Sequence, residues 1–279
     1  MKRLAYVSGC VVVAVAAFLG AERGARAAAP ARVPTGSFRA ALWAQTAAEY
    51  RAGATQAYRL ATRLLDEALC DPCWTADVTQ QREGGYACKP PAIVLDADET
   101  VLDNAAFQAR LLLGALADPA KDDEFDVATW NAWVAERKAA AVPGVAEFLA
   151  YAVASGVTPF VVTNRSDAER DATVDNLRAL GLPFDAAHVL TKNDAAGRPN
   201  DKSSRRAMVA ATHRILLLCG DDLNDFVPGF LEGGPDDRAR TYARHEGWVG
   251  TRWIILPNPV YGSWRKALGT TPEQFLRRD

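Results

Sequence analysis

The stretch IVLDADETVL spans residues 93–102, and its apolar strand ends in two acids one residue apart, Asp96 and Asp98. Side chains two apart on an extended segment point to the same face, so both carboxylates face the space beyond the strand. Like charges this close repel each other unless a cation or a shared proton compensates them. The pattern therefore predicts an Mg²⁺ site or an acid/base pair. The alternative is an aspartate that caps the next helix beside a solvated neighbour.

Two further apolar runs, at 157–162 and 215–219, also end in polar residues. The residues that follow them are Thr163, Asn164 and Arg165, and then Asp221, Asp222, Asn224 and Asp225. In open α/β sheets, ligands bind beyond the carboxyl ends of the strands. The three strand ends therefore predict one shared ligand site.

Strands and helices alternate from Pro91 onward. The predicted strands are 92–96, 157–162, 187–191, 215–219 and 252–256, and the predicted helices are 144–154, 167–180 and 202–212. This alternation predicts an α/β fold with a mainly parallel sheet that has helices on both faces. Helical spacing over 37–70 predicts one or two amphipathic helices packed on the core, followed by a loop at 71–90.

The composition is typical of a globular enzyme. The chain has 279 residues, of which 49% are apolar, which is enough for one large core or one core with an appendage. The formal charge is −2, and removing residues 1–27 would leave 28 basic and 33 acidic residues. Without a basic excess, we expect neither a nucleic-acid polymer nor an anionic membrane surface as a partner.

The N-terminus predicts export. Lys2 and Arg3 precede an uncharged, mostly apolar run at 4–20, and Ala-Arg-Ala at 25–27 fits the cleavage site of a signal peptide. We expect a periplasmic or secreted protein with no stable membrane span after processing. A retained anchor is the alternative, although the run is short for spanning a bilayer. Lipid attachment at Cys10 is not expected, because most of the apolar run follows that residue.

Three cysteines, Cys70, Cys73 and Cys88, precede the first core strand. In an oxidising compartment we expect two of them to form a disulfide, and the sequence leaves the pairing open. Zinc is not expected, because no histidine lies near the trio to complete a ligand set. Cys219 lies inside an apolar strand and is expected to be a small buried side chain.

Four ordered motifs resemble those of the haloacid dehalogenase superfamily. They consist of Asp96, Asp98 and Thr100, then Thr163, then Lys202, then Gly220, Asp221 and Asp225. The segments most similar to the bacterial class C (lipoprotein-type) acid phosphatase and 5′-nucleotidase family are PPAIVLDADETVLDN, VVTNR, KSSRR, ILLLCGDDLNDF and LPNPVYGSW. The similarity covers roughly residues 42–264.

The resemblance implies a Rossmannoid parallel sheet and a division of the chain into parts. The expected parts are a signal peptide at 1–27, a helical extension with the cysteine loop at 28–90, and a phosphatase core at 91–279. A small helical insertion at about 104–142 follows the first motif.

The resemblance also implies roles for the site residues. Phosphoryl transfer needs an in-line nucleophile, neutralised charge and a proton for the leaving group. Asp96 is the implied nucleophile, and Asp98 is the implied general acid/base. Lys202, Thr163 and Asn164 are the implied phosphate-binding residues.

Mg²⁺ is the implied cofactor, because it prefers hard oxygen ligands. Asp96, the Asp98 backbone carbonyl and Asp221 are the implied ligands. Asp225 is expected to orient waters or Lys202 beside the metal. Asp222 stands where the resembled family more often has asparagine. We expect its side chain to point to solvent, with tighter metal binding as the alternative.

Two basic residues leave alternatives open. Lys192 directly follows a predicted strand and competes with Lys202 for the phosphate, although the helix start and the KSSRR spacing favour Lys202. Arg165 either contacts the phosphate or forms a structural salt bridge.

Aromatic residues suggest a substrate class. Trp130 and Trp133 in the insertion, with Tyr261 and Trp264 near the C-terminus, could clamp an aromatic base. The alternative is that each ring belongs to the core. In the resembled family, aromatics from these regions line the pocket mouth and nucleoside monophosphates are good substrates.

The sequence therefore predicts an exported, Mg²⁺-dependent acid phosphatase. Its expected substrates are nucleoside 5′-monophosphates and other small phosphate esters, cleaved through an aspartyl-phosphate. One alternative is a narrow metabolite phosphatase or phosphotransferase. Another is a non-catalytic surface or storage protein on the same fold. The oligomeric state is left open.

Overall fold

Residues 37–117 and 125–277 are described by the structure, which is a computed structural model. The predicted signal peptide at 1–27, with its cleavage pattern and Cys10, lies outside these residues. Within the two described ranges, no helix combines the length and the apolar character that crossing a bilayer requires.

Within residues 37–117 and 125–277, seven strands form two sheets. In chain order they are β1 (Pro91–Leu95), β2 (Leu102–Asp103), β3 (Ala140–Ala141), β4 (Thr158–Ser166), β5 (Val189–Lys192), β6 (Arg214–Gly220) and β7 (Trp253–Ile255). The main sheet is parallel, with the order β5-β4-β1-β6-β7, and β2 pairs with β3 in a separate antiparallel ribbon. Because β1 lies between β4 and β6, the carboxyl ends of these three strands meet at one edge.

Both faces of β1 are covered, which explains its unbroken apolar sequence. Ile93 and Leu95 belong to a large hydrophobic cluster on one face of the sheet. Ala92 and Val94 belong to a smaller cluster on the other face. Alternate residues of a strand point to opposite faces, so β1 contributes to both clusters.

Ten α-helices surround the sheet in the described residues. They are α1 (Ser37–Thr46), α2 (Ala48–Cys70), α3 (Val78–Glu83), α4 (Ala105–Ala117), α5 (Val127–Glu136), α6 (Val145–Ala154), α7 (Arg170–Ala179), α8 (Ser203–Thr212), α9 (Pro235–Ala243) and α10 (Ser263–Lys266). The α/β fold, the N-terminal helices and the helical insertion are confirmed. The domain boundaries at residues 27 and 90 stay predictions.

Two local features differ from the sequence predictions. The loop predicted at 71–90 contains α3, because the Asp77 carboxylate accepts hydrogen bonds from the backbone N–H groups of Thr79 and Gln80 and so caps a helix. The helix predicted from residue 167 begins with a 3₁₀ turn, and the α-helix itself starts at Arg170.

The predicted disulfide is absent from the structure. Cys70, Cys73 and Cys88 are all free and exposed. The Tyr86 hydroxyl donates to the Cys73 carbonyl at 2.9 Å, so a hydrogen bond joins the two parts of this loop without a crosslink. Cys219 is free and buried, as predicted.

Helix α2 holds the loop that follows β1. Tyr58 is 1% exposed, stacks on Phe148 and donates from its hydroxyl to the Thr100 carbonyl at 2.5 Å. Both partners are buried, so this bond restrains the backbone two residues after Asp98.

The Tyr58→Phe variant should be less stable than the native chain. The change leaves the buried Thr100 carbonyl without its donor, which costs about 1–3 kcal/mol. Urea unfolding would measure this cost. Tyr151→Phe is a matched control, because the Tyr151 hydroxyl contacts Asp66 in an exposed pair, so its expected effect is within about 0.5 kcal/mol. Equal effects of the two variants would contradict this role of Tyr58.

Candidate active site

Three carboxylates meet at the carboxyl edge of the main sheet. Asp96 follows β1, whereas Asp221 and Asp225 follow β6. One oxygen from each of the three lies within 4.8 Å of the others. The Asp96 backbone N–H donates to the Cys219 carbonyl at 2.9 Å, which holds the two strand ends together.

Lys202 places one positive charge beside these acids. Its ammonium group donates to Asp96 and, at 2.6 Å, to Asp225, and the side chain is 6% exposed. Lys202 immediately precedes α8, so the helix start delivers it to the sheet edge. Lys192 instead lies 3.5 Å from Asp194 with a half-exposed side chain. The structure therefore brings Lys202, and not Lys192, to the three acids.

Burial and mutual repulsion disfavour the ionised forms of the three acids. Burial raises the pKa of Asp96 to about 7, although Lys202 opposes the shift. Burial, with repulsion from Asp225 and Asp96, raises the pKa of Asp221 well above its ordinary value. Burial also raises the pKa of Asp225. Burial alone would lower the pKa of Lys202, but Asp225 and Asp96 outweigh it and raise that pKa, so the lysine stays charged.

The donor set fits a divalent cation. Three carboxylates lie beside one ammonium group, which contacts Asp96 and Asp225, so the cluster carries excess negative charge when it is ionised. A cation would favour the ionised form of each acid and offset the cost of its burial. Carboxylate oxygens are the ligands that hard divalent cations prefer.

Asp98 is held apart from this cluster by Arg165. Arg165 donates to Asp98 from Nη2 at 2.7 Å and from Nε at 3.1 Å, and Asn104 Nδ2 adds a bond of 2.9 Å. Arg165 is buried, whereas the Asp98 side chain is 19% exposed. Arg165 therefore forms a salt bridge, and its partner is the side chain of a predicted site residue. The side chains of Asp96, Asp221 and Asp225 therefore meet, whereas that of Asp98 turns to Arg165; the ligand predicted from Asp98 is its backbone carbonyl.

Asn104 was missed in the sequence analysis. It is fully buried, accepts from Trp133 Nε1 at 2.9 Å, and donates from its backbone N–H to Glu99 at 2.9 Å. Burial raises the pKa of Glu99 well above its ordinary value. The sequence signal was its place at the end of the PPAIVLDADETVLDN segment, where the insertion begins. Asn104 thus links Asp98 to the insertion.

The structure disagrees with the predicted substrate contact of Trp133. The ring is 3% exposed, and the Arg110 guanidinium lies 4.9 Å from its centroid. Its small exposed part lines a cavity of about 270 Å³ whose lining contains none of the three clustered acids. A ring with covered faces cannot stack on a base. Trp130 is half-buried, and its ring centroid lies 5.3 Å from the Arg165 guanidinium, beside Asp98.

Arg205 forms hydrogen bonds to two residues near the end of β4. Thr163 is buried, and its carbonyl accepts from Arg205 while its hydroxyl accepts from the Arg165 backbone N–H at 3.1 Å. Asn164 is exposed and accepts from Arg205 Nη2 at 2.7 Å. Thr163 and Asn164 are therefore held together by one buried guanidinium that was also missed in the sequence analysis.

Asp222 does not point to solvent, contrary to the prediction. Its carboxylate accepts from the backbone N–H and the hydroxyl of Ser263, each at 2.6 Å. Burial alone would raise the pKa of Asp222, but the bonds from Ser263 and Asn224 outweigh it and lower that pKa. The unexpected acid thus ties the segment after β7 to the loop after β6.

Tyr261 lies in that segment and is half-buried. Asn258, three residues earlier, donates to Asp221 Oδ2 at 2.7 Å, which brings the segment to the three acids. Trp264 is 38% exposed and donates to the Tyr261 carbonyl at 3.0 Å. The structure therefore joins the C-terminal aromatics to the site through backbone and amide contacts.

Known proteins similar to this chain in structure or sequence are acid phosphatases. The class C acid phosphatase from Bacillus anthracis superposes with a TM-score of 0.70 and 34% identity, over 83% of this chain and 87% of that protein. Its tungstate-bound structure gives the same TM-score at 33% identity. Acid phosphatase 1 from Solanum lycopersicum is 28% identical over 171 residues, which span 60% of this chain and 57% of the plant protein's length.

The sequence model of a protein family covers most of the chain. The family described as HAD superfamily, subfamily IIIB (acid phosphatase) matches residues 25–264. The match includes every strand of the main sheet and all of the acids described above. The chain therefore belongs to the subfamily IIIB acid phosphatases of the HAD superfamily, and so to the phosphomonoesterase class of hydrolases.

Proposed function

We propose that this chain is an Mg²⁺-dependent acid phosphatase that cleaves small phosphate monoesters through an aspartyl-phosphate. The observation that carries the proposal is the meeting of Asp96, Asp221 and Asp225 with Lys202 at one sheet edge. This arrangement combines a carboxylate nucleophile, a fixed positive charge and oxygen ligands for a cation, which are the parts that phosphoryl transfer requires.

Asp96 is the proposed nucleophile. Its carboxylate oxygen attacks phosphorus, the bond from phosphorus to the ester oxygen breaks, and Asp98 gives its proton to the leaving oxygen. In the second step, water attacks the phosphorus of the aspartyl-phosphate while Asp98 takes a proton from that water. The bond from the Asp96 oxygen to phosphorus breaks, phosphate leaves, and both acids return to their starting states. The Arg165 contact supports this role, because it fixes the direction of the Asp98 carboxylate.

Asp96, Asp221 and Asp225, with the Asp98 backbone carbonyl, are the residues that would hold Mg²⁺. Bound there, the ion would supply positive charge to the transferring phosphoryl group. Asp225 also holds Lys202 at 2.6 Å, so it positions the ammonium group whether or not it contacts the ion directly.

Lys202, Thr163 and Asn164 are the proposed phosphate-binding residues. Tungstate is a tetrahedral oxyanion like phosphate, and its presence in the Bacillus anthracis relative supports an oxyanion site in this family. Nucleoside 5′-monophosphates are the proposed substrates, with Tyr261 as the main stacking side chain and Trp130 near Asp98.

We also propose that the protein is exported to the periplasm or the medium. The basic start, the apolar run at 4–20 and the small residues at 25–27 support this localisation. The division into an extension at 28–90 and a core at 91–279 belongs to the same proposal.

Removing the metal should abolish turnover. Phosphate release from adenosine 5′-monophosphate would be measured for the chain without residues 1–27, at a pH of about 5 to 6. We expect excess chelator to reduce the rate by about 10³-fold, because the charge stabilisation of the metal is worth several kcal/mol. Added Mg²⁺ should restore the rate.

A rate that chelator leaves unchanged would contradict the metal dependence. If the nucleotide is not cleaved, a panel of other phosphate esters separates a narrower phosphatase from a fold without chemistry. Release from another ester would support the first alternative, and no release from any ester would support the second.

A further inference from the structure

We propose that Asn258 couples metal binding to substrate recognition, because one amide holds both Asp221 and the backbone of Tyr261. The inference rests on the proposed function, which assigns Asp221 to the metal and Tyr261 to the substrate. Asn258 is here a positioning residue that acts through these two partners.

The two ends of the Asn258 amide have different partners. Nδ2 donates to Asp221 Oδ2 at 2.7 Å. Oδ1 accepts from the backbone N–H groups of Val260 at 3.0 Å and Tyr261 at 3.3 Å. An amide has a donor and an acceptor on one rigid plane, so rotation of the side chain would disturb both contacts together.

A second anchor holds the other side of Tyr261. Ser263 donates to Asp222 through its backbone N–H and its hydroxyl, and the hydroxyl also accepts from Arg238 at 2.5 Å. The intervening Gly262 has a φ of +137°, and a Cβ there would lie 3.2 Å from Asp222 Oδ2. Two neighbouring acids therefore anchor the backbone on both sides of Tyr261. Asp221 does so through Asn258, and Asp222 does so through Ser263.

This arrangement has a thermodynamic consequence. A hydrogen bond to a metal-binding carboxylate orients it, and the loss of such a bond typically weakens metal affinity by about 10–100-fold. The same side chain orders the turn that carries Tyr261. If binding of one ligand stabilises this conformation of Asn258, it raises the affinity for the other ligand, and the effect is the same in the reverse direction, because coupling between binding sites is reciprocal.

The test measures each ligand alone in the full chain. Calorimetry with Mg²⁺ and no nucleotide reports on the Asp221 side. Binding of adenosine in excess chelator reports on the Tyr261 side, because adenosine carries no phosphate for the acids to repel. Neither measurement depends on turnover. The thermal midpoint of each variant shows that it is folded.

Asn258→Ala should weaken both ligands. We expect Mg²⁺ affinity to fall by about 10–100-fold and adenosine affinity to fall with it. Tyr261→Ala should weaken adenosine and leave Mg²⁺ affinity unchanged. Asn131→Ala is the matched control, because Asn131 is exposed on α5, and it should change neither affinity.

Asn258→Ser separates the contact with Asp221 from the contact with the Tyr261 backbone. It also provides the test if the alanine variant does not fold. A serine hydroxyl can still accept from the backbone two residues on, but it is too short to reach Asp221. We expect Mg²⁺ affinity to fall while adenosine affinity stays closer to that of the native chain.

The coupling is overturned if Asn258→Ala and Asn258→Ser bind Mg²⁺ as tightly as the native chain, or if Asn258→Ala binds adenosine unchanged. A native chain that binds neither Mg²⁺ nor adenosine would instead contradict the proposed function. The two failures are therefore distinguishable.

Discussion

Replacing Asp96 by asparagine is expected to abolish phosphate release, with kcat falling by about 10⁴-fold or more, as removal of a catalytic nucleophile commonly does. An amide of the same shape has no anionic oxygen to attack phosphorus and form the aspartyl-phosphate. Steady-state phosphate release from adenosine 5′-monophosphate with saturating Mg²⁺ would measure the loss.

The fold should survive this change. Burial raises the pKa of Asp96 to about 7, so a neutral side chain at this position relieves repulsion with Asp225 and Asp98. We therefore expect the thermal midpoint without metal to stay equal or to rise. Asp103→Asn is a matched control at the end of β2, where the carboxylate accepts from the Ala105 backbone N–H at 2.8 Å, and it should keep most of the activity. Substantial turnover by Asp96→Asn would exclude Asp96 as the nucleophile.

Replacing Lys202 by methionine should cost both stability and activity. The change leaves two buried carboxylates, Asp96 and Asp225, without their shared positive partner. Breaking a buried ion pair in this way costs about 3–5 kcal/mol. We expect kcat to fall by about 10³-fold as well, because a fixed charge on the transferring group is lost. Urea unfolding in chelator and phosphate release in Mg²⁺ would measure the two effects.

The stability cost should depend on pH. The pKa of Asp96 rises from 3.8 to about 7 in the folded chain, so the folded state binds more protons than the unfolded state between these values. Stability without metal therefore falls as pH rises through this window. Loss of Lys202 removes the group that opposes the shift, so the cost of Lys202→Met should be larger at a pH of about 8 than at about 5.

Lys192→Met provides the control for Lys202. Its ammonium lies 3.5 Å from Asp194 in a half-exposed pair, so the expected change in stability is within about 1 kcal/mol. If Lys192→Met and Lys202→Met lose the same stability and activity, Lys202 does not have the role proposed for it.

The order of strands and helices and the position of the acids could be predicted from the sequence. Apolar periodicity is local, and it predicted the ends of the main-sheet strands to within two residues, except that β4 continues four residues further, to Ser166. Polar residues at the carboxyl ends of β1, β4 and β6 had to meet once the sheet was parallel, because parallel strands present these ends at one edge. The convergence of Asp96 and Asp221 therefore followed from spacing and sheet type.

The partners of the side chains could not be predicted in this way. Asp98 pairs with Arg165, 67 residues away, and Asp222 pairs with Ser263, 41 residues away. Both acids follow the last strand residue, where the alternation of a strand no longer determines the direction of a side chain. The fold brings segments that are distant in sequence together, and this determines which donor each carboxylate contacts.

The aromatic residues show the same limit. Trp133 and Tyr261 had similar signals in the sequence, since each is a large ring in a segment outside the core strands. In the structure, Trp133 is buried and donates to Asn104, whereas Asn258 links the segment that carries Tyr261 to Asp221. The sequence by itself determined the fold and which acids share one edge, because both depend on local periodicity and strand direction. Only the tertiary structure decided which partner each polar side chain meets, because a hydrogen bond requires two distant segments to be placed within a fraction of an ångström.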